Sequence, residues 1–338
     1  MQHFSLNEYL RTRGWRHISI IIFFLMVLGV IAALLYATQK VEYVWRWYRM
    51  PQYFFYKDTI ETKSEVEGEV RSLVSKDGQT EITIQGVDGE EARYTVPTKS
   101  VRVEENDFVY PGDVLGSYQK WKVGILLEGL WLTLKVSIIA VLLGILIGLF
   151  TGLARISDNP ALKWSAITYI ELIRGSPLLV QIFIWYFVLG TMINAILAQK
   201  GVQQLPPLWF GVAALAVFAG AYVAEIVRAG IQSIHRGQME AARSLGMTYA
   251  QSMRHIILPQ AFQRILPPLA GQFISLIKDS SLLGIIAIRE LTKATREVVT
   301  SSLQPFELWF VCALLYLVLT FTLSMFVQYL ERRTAIRG

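Results

Sequence analysis

Long apolar runs set the pattern of this chain. Residues 18–37, 136–154, 175–199, 201–224 and 308–330 contain no charged side chain, and residues 265–288 contain only Lys278 and Asp279. Each run falls within the roughly 17–25 residues that a helix needs to cross a bilayer. The expectation is an all-α multi-pass membrane protein with six transmembrane helices. One stretch breaks the pattern. Between residues 38 and 122 apolar and polar positions alternate, as in Glu81-Ile82-Thr83-Ile84 and Arg93-Tyr94-Thr95-Val96. Turn signals at Lys76-Asp77-Gly78, Val87-Asp88-Gly89 and Tyr110-Pro111-Gly112-Asp113 separate these stretches. Period-2 patterning between such turns predicts short antiparallel strands, hence a small β-rich domain.

Composition sharpens this picture. The chain of 338 residues is 53% hydrophobic and 17% charged, whereas an ordinary soluble domain is about 45–50% apolar and about 25% charged. The single cysteine, Cys312, lies within the last apolar run, so neither an internal disulfide nor a thiol zinc site can form. His3, His17, His235 and His255 show no metal-ligand spacing, and no metal or cofactor is expected. The net charge of +6 lacks the basic, aromatic-interleaved stripe that nucleic acid would require.

The basic residues instead set membrane orientation. Arg11, Arg13 and Arg16 precede an apolar run too long for a cleaved signal core, so the first span reads as an uncleaved anchor. With the N-terminus inside, Arg155, Lys163, Arg228, Arg236, Arg243, Arg254, Arg264 and the arginines after Glu331 also fall inside. The short outer loops then carry only Lys200, Arg289, Lys293 and Arg296. The positive-inside rule therefore places both termini in the cytoplasm, with residues 1–17 and 334–338 as short cytoplasmic ends and 38–122 extracytoplasmic. That outer segment holds twelve basic and fifteen acidic residues and so contrasts with the basic remainder. The aromatic cluster of Trp45, Trp47, Tyr48, Tyr53, Phe54 and Tyr56 before the strands reads as an interfacial belt against membrane lipid.

The most informative segment is the inner loop over residues 229–262. It contains Gly237-Gln238-Met239-Glu240-Ala241-Ala242-Arg243-Ser244-Leu245-Gly246-Met247-Thr248 and later Ile256-Ile257-Leu258-Pro259. Residues 240–245 favour a helix, and Gly246 stands where a left-handed cap would stop it. Such a helix fits two roles. With small alanines for close approach, Leu245 and Met239 to fill a groove and Glu240 for a polar partner, it can dock on another protein. It can equally lie on lipid headgroups.

At these residues the chain resembles the permease subunits of ABC importers, in particular the polar amino-acid uptake family. The signature stands here as Glu240-Ala241-Ala242, Gly246 and Ile256-Ile257-Leu258-Pro259. Three further motifs follow the family: residues 169–179 around Glu171-Leu172-Ile173-Arg174-Gly175-Ser176-Pro177, residues 221–228 around Glu225 and Arg228, and Lys278-Asp279-Ser280-Ser281-Leu282. The resemblance covers about residues 123–333 and implies a five-helix type I importer core. It implies that Gln238, Met239, Glu240, Ala241, Ala242, Arg243, Leu245 and Gly246 form the coupling helix that docks on a cytoplasmic ATP-binding-cassette ATPase dimer. It also implies a second permease copy or paralogue, an extracytoplasmic amino-acid-binding protein, an amino-acid substrate and residence in the inner membrane. Residues 1–122 depart from that core.

Charges inside the spans are costly and mark a pathway or a packed pair. Arg174 is expected about ten residues into its helix, and Lys278 and Asp279 well inside theirs. Adjacent residues on a helix cannot neutralise each other, so Lys278 and Asp279 each need another partner. Pro177 after Gly175-Ser176, and Ser280-Ser281 after Ser275 and Asp279, suggest helices opened locally so that backbone groups meet a polar substrate. Arg174, Gly175, Ser176, Pro177, Ser275, Lys278, Asp279 and Ser280 are thus the candidate substrate pathway, with Arg174 and Asp279 expected on facing helices. Structural interhelical pairing is the competing account of each charge.

No G-x-x-x-x-G-K-[ST] phosphate loop occurs, so the chain is expected to be a transport subunit and not an enzyme. A membrane-anchored sensor would use the β-rich domain but leave the inner loop unexplained. An ion channel would use the intramembrane charges but not that loop.

Overall fold

In the computed structural model the backbone is described for residues 6–334 and side chains for residues 18–329. The final residues 335–338 of the expected cytoplasmic end, like residues 1–5, lie outside the described residues. The chain divides into two units, residues 1–47 and 48–338.

The first unit is built on one helix, α1 (Leu6–Lys40). It starts well before the apolar run, so most of the segment expected to precede the first span is itself helical. Its apolar side chains, among them Ile21, Phe24, Leu28 and Leu35, are exposed, as a lipid-facing helix requires. After it, Trp45 stacks on Trp47 at 5.6 Å and meets Tyr43 edge-on at 5.5 Å.

The second unit opens with six strands, β1 (Phe55–Lys63), β2 (Gly68–Lys76), β3 (Gln79–Gly86), β4 (Glu91–Pro97), β5 (Phe108–Val109) and β6 (Val114–Val123). Strands β1 and β6 form an antiparallel ribbon in the register Phe55↔Val123 to Glu61↔Ser117. The other four form a sheet ordered β4-β3-β2-β5. Inward residues Val70, Ile82, Ile84, Val96, Val109 and Leu115 make a core of their own. The turn expected at Asp77-Gly78 is present, with φ of 52° and 79°. Glycine takes such a backbone without strain.

Ten α-helices among the described residues, two of them short, complete this unit: α2 (Ile125–Arg155), α3 (Pro160–Arg174), α4 (Leu178–Phe183), α5 (Thr191–Gln199), α6 (Pro207–Gln232), α7 (Arg236–Ser244), α8 (Tyr249–Ser252), α9 (Leu258–Asp279), α10 (Leu291–Ser302) and α11 (Pro305–Thr334). With α1, six helical segments among the described residues are long and apolar enough to span a membrane: Ile18–Lys40, Ile125–Arg155, Leu178–Gln199, Pro207–Gln232, Tyr249–Ile286 and Pro305–Tyr329.

The centre of the bundle is the α2–α6 pair. Gly144, Gly148 and Gly152 recur every fourth residue on α2 and lie against Ala219, Val223 and Val227 of α6. Without a hydrophobic drive between helices in lipid, such small residues permit the close backbone approach that holds spans together. Val136, Ala140, Leu178, Ile182, Leu215 and Leu276 pack around this contact.

Two expectations are corrected. The span expected over 175–199 begins at Leu178, because Gly175 and Pro177 end α3 and restart the chain as α4, and within it residues Ile184–Gly190 widen into a π-helix. Arg174 is therefore the last residue of α3 and not a mid-helix charge. The loop expected to reach residue 262 ends at Thr248. There a capping box with Gln251, with contacts of 2.8 and 3.3 Å, starts a helix that runs through α8, a π-turn at Met253–Ile257 and α9.

Candidate functional site

Two features carry the candidate chemistry: the short helix α7 and a polar strip along α3 and α6. α7 starts at His235, whose Nδ1 accepts from the Gly237 N–H at 3.1 Å. It stops in a full Schellman arrangement. The N–H of Met247 donates to the Ala242 carbonyl at 3.2 Å and that of Gly246 to the Arg243 carbonyl at 3.0 Å, with Gly246 at φ 84°. Arg243 Nη1 adds a bond to the Met247 carbonyl at 3.2 Å.

The residues of α7 divide by face. Ala242 is buried and Met239 packs beside Ile231, Ile234 and Ile257, so both attach the helix to its own chain. Of the residues expected to meet a partner, Ala242 is thus covered by its own chain and Met239 partly so. Gln238, Glu240, Ala241, Arg243 and Leu245 are exposed, Leu245 at 83%. A leucine so exposed on a rigidly capped helix is an unmet apolar contact.

At the break after α3, Gln181 closes the gap. Its Nε2 donates to the Ile173 carbonyl at 2.7 Å and to Ser176 Oγ at 2.9 Å. Ser176 in turn donates to the Leu172 carbonyl at 2.9 Å. Gln181 Oε1 is buried without a hydrogen-bond partner among the described residues. The exposed guanidinium of Arg174 lies over the Tyr222 ring, 5.3 Å from its centroid. Arg174 and Asp279 form no ion pair with each other, and the ring of Tyr222 is the contact found at Arg174.

One turn further along α6, Glu225 receives two guanidinium groups. Arg155, from the end of α2, donates through Nη1 at 2.7 Å, and Arg228 donates through Nε at 3.0 Å and also through Nη2. Glu171 of α3 stands 4.0 Å from Arg155 Nη2. This network ties the end of α2 to α3 and α6.

Residues 275–284 hold the remaining candidates. Ser280 is buried and donates to the Ile277 carbonyl at 2.7 Å. There α9 tightens into a 3-10 helix, Ser280–Ile286, ended by Ala287 in a left-handed conformation. Ser275 and Asp279 are half-buried, without side-chain hydrogen bond or ion pair among the described residues. Lys278 points elsewhere, into a cleft of about 280 Å³ with Ser281, Thr292, Trp309 and Tyr316. Beneath that cleft Glu290 is fully buried. It accepts from the N–H groups of Thr292 and Lys293, both at 2.8 Å, and from the Tyr316 hydroxyl at 3.0 Å. Burial pushes its carboxyl above the usual range, and the two backbone donors offset this only in part.

Gln181, Tyr222 and Glu290 were not among the sequence candidates. Gln181 and Tyr222 resemble ordinary helix residues in sequence, and only the helix break and the α3–α6 crossing give them their contacts. The acidic residue before a helix start is a capping signal that could have found Glu290.

A helical membrane bundle with interrupted spans along a polar strip, and a capped helix offered at one end, defines a transport subunit. The comparisons fix which kind. The chain belongs to the family described as binding-protein-dependent transport system inner membrane component, whose model matches residues 144–336. It is 44% identical over 207 residues to the probable glutamine ABC transporter permease protein GlnM of Bacillus subtilis, covering 61% of this chain and 92% of that one. It is 36% identical over 214 residues to the glutamine transport system permease protein GlnP of Escherichia coli, covering 63% and 94%. Among solved structures it is similar to an amino acid ABC transporter crystallised with histidines, at a TM-score of 0.55 and 42% identity over 62% of this chain and 94% of that one. The chain is thus a multi-pass inner-membrane transporter subunit, and ATP hydrolysis resides in a separate subunit.

Proposed function

We propose that this chain passes a polar amino acid across the inner membrane and couples that passage to a cytoplasmic ATPase through α7. Its permease relatives are described as carrying glutamine, cystine, and glutamate or aspartate. A zwitterionic substrate suits a path that offers guanidinium and carboxylate groups on one strip. The observation that carries the reading is the face of α7. Gln238, Ala241 and Leu245 recur at i, i+3 and i+7 along the capped helix and are exposed; Gln238 accepts a hydrogen bond from Gln260 at 3.3 Å, while Ala241 and Leu245 leave an open apolar strip that fits a groove on another protein. An interfacial helix would bury Leu245 and Met239 together, yet they lie on different faces.

In this reading both termini and α7 are cytoplasmic, residues 38–122 are extracytoplasmic, and a second permease copy or paralogue and a soluble amino-acid-binding protein complete the machine. Arg174, Gly175, Ser176, Pro177, Ser275, Lys278, Asp279 and Ser280 remain the proposed pathway. Reconstitution with the ATPase and binding protein should give ATP-dependent uptake of at least one polar amino acid. Ala241→Arg should abolish co-purification of the ATPase without preventing membrane insertion. A failure of every amino acid to enter, or full ATPase binding by Ala241→Arg, would overturn the reading.

A further inference from the structure

A cleft of about 540 Å³ opens where the α2–α3 turn meets the end of α6, and Arg155, Asp158, Lys163, Trp164, Arg228 and Gln232 line it. Its size falls within the roughly 300–1,000 Å³ of small-molecule sites. The charges are of two kinds. Arg155 and Arg228 share the carboxylate of Glu225, and Arg155 also stands 4.0 Å from Glu171, so these two cations are compensated. Lys163 and Asp158 are both exposed, and neither side chain has a hydrogen bond or ion pair among the described residues. Unspent charges of opposite sign thus converge on one cavity, beside the 65% exposed indole of Trp164.

The cleft also continues the polar strip. On α3, Pro160, Lys163, Trp164, Ile167, Glu171 and Arg174 recur at spacings of three or four and share a face. On α6, Tyr222, Glu225, Arg228 and Gln232 do the same. Lys163 stands about 16 Å along the helix from Arg174 at the usual rise per residue. A solute leaving Arg174 towards the α7 end meets this cleft next.

We propose that the cleft is a second, exit-side subsite for the transported amino acid, holding its carboxylate at Lys163 and the Arg228 edge and its ammonium at Asp158. This rests on the amino-acid permease reading above and on its cytoplasmic placement of α7. The subsite has a regulatory consequence. Ile156 and Gln232 are shared with a neighbouring cleft lined by His235, Arg236 and Met239 at the base of α7. Amino acid accumulated in the cytoplasm can therefore occupy the exit subsite next to the coupling element and slow further import.

The test uses the complete importer in proteoliposomes, with ATP and the α7 side inside and binding protein outside. The probe is whichever of L-glutamine, L-glutamate or L-cystine the wild type takes up. Graded amounts of that amino acid are preloaded in the lumen, and initial uptake of labelled amino acid is measured. Wild-type uptake should fall with lumenal load. Lys163→Gln and Asp158→Asn should each raise the lumenal concentration for half-inhibition about tenfold, as the loss of one charge-assisted contact predicts. That shift should exceed any change in the external half-saturating concentration. Absence of lumenal inhibition in the wild type, or inhibition untouched by both variants, overturns the subsite while leaving the permease reading intact. A variant effect that disappears in vesicles lacking anionic phospholipid assigns the cleft to a lipid headgroup and also overturns it. Should none of the three be taken up, the probe is the first other polar amino acid that is, and no uptake of any amino acid overturns both readings.

Discussion

The guanidinium of Arg174 rests on the ring of Tyr222, 5.3 Å from its centroid, and so holds the end of α3 against the middle of α6. A cation over an exposed ring is worth about 0.5–1 kcal/mol. Tyr222→Phe, which keeps the ring, should transport like the wild type. Tyr222→Leu should lower kcat/KM for uptake by about two- to fivefold. Arg174→Ala should cost more, since it removes the charge as well. Equal kinetics for Tyr222→Leu and the wild type would show that the contact does not position Arg174.

Gly246 sits at φ 84° with nothing within 4 Å of where a side chain would go. Any effect of replacing it is therefore conformational and not steric. A β-branched residue there costs about 1–2 kcal/mol, enough to undo the cap of a nine-residue helix. Gly246→Val should insert in the membrane normally but lose substrate-stimulated ATP hydrolysis in the reconstituted complex. Normal stimulation would remove α7 from the coupling role.

The α2–α6 contact makes an opposite demand on glycine. A Cβ on Gly148 would meet the Gly220 carbonyl oxygen at 2.7 Å and Val223 closer still. Gly148→Ala should lower the stability of the detergent-solubilised protein by about 1–3 kcal/mol, as overpacking does. Gly29→Ala, on α1 with open space around it, should be neutral or stabilising by up to about 1 kcal/mol. Melting followed by thiol reactivity of buried Cys312 would separate the two.

Glu290 gives stability a pH dependence of definite sign. Its folded carboxyl is held above the ordinary 4.5 by burial. An acid with a raised folded pKa binds its proton more tightly when folded, so the folded state gains stability as pH falls through the folded pKa towards 4.5. Glu290→Gln cannot titrate. The wild-type advantage in melting temperature over this variant should therefore grow from about pH 8 to about pH 5. A difference that shrinks over that range would mean that the hydrogen bonds to Thr292 and Lys293, not burial, dominate the carboxyl.

The ribbon of β1 and β6 permits a test of the inserted domain. Thr62 and Gly116 are paired across it, so residues 63–115 can be replaced by a tight two-residue turn. The helices from α2 onward should remain folded and bind ATPase, because the sheet keeps its six-residue core to itself. Loss of thermal stability in the helical bundle would show that the domain braces it.

What was legible in the sequence followed from long periods and uncharged runs. The runs at 136–154 and 308–330 have no competing signal, and they are helices. Gly246 was legible because a glycine after strong helix formers has one common use. The break at residues 175–177 was visible as Gly and Pro, which end α3 at Arg174, but the start of α3 at Pro160 was not, because it depends on the cap that Asn159 supplies to Ala161 at 2.9 Å. The partner of Arg174 was beyond reach. A charge in a span announces that it needs a partner, and only the crossing of α3 with α6 decides that the partner of Arg174 is a ring.

The strands that carry residues 55–123 away from and back to the bundle end side by side, with the N–H of Gly124 donating to the carbonyl of Phe54 at 2.6 Å. Entry and exit therefore coincide at the start of α2, so a change in the length of the chain between them need not move the first residue of that helix.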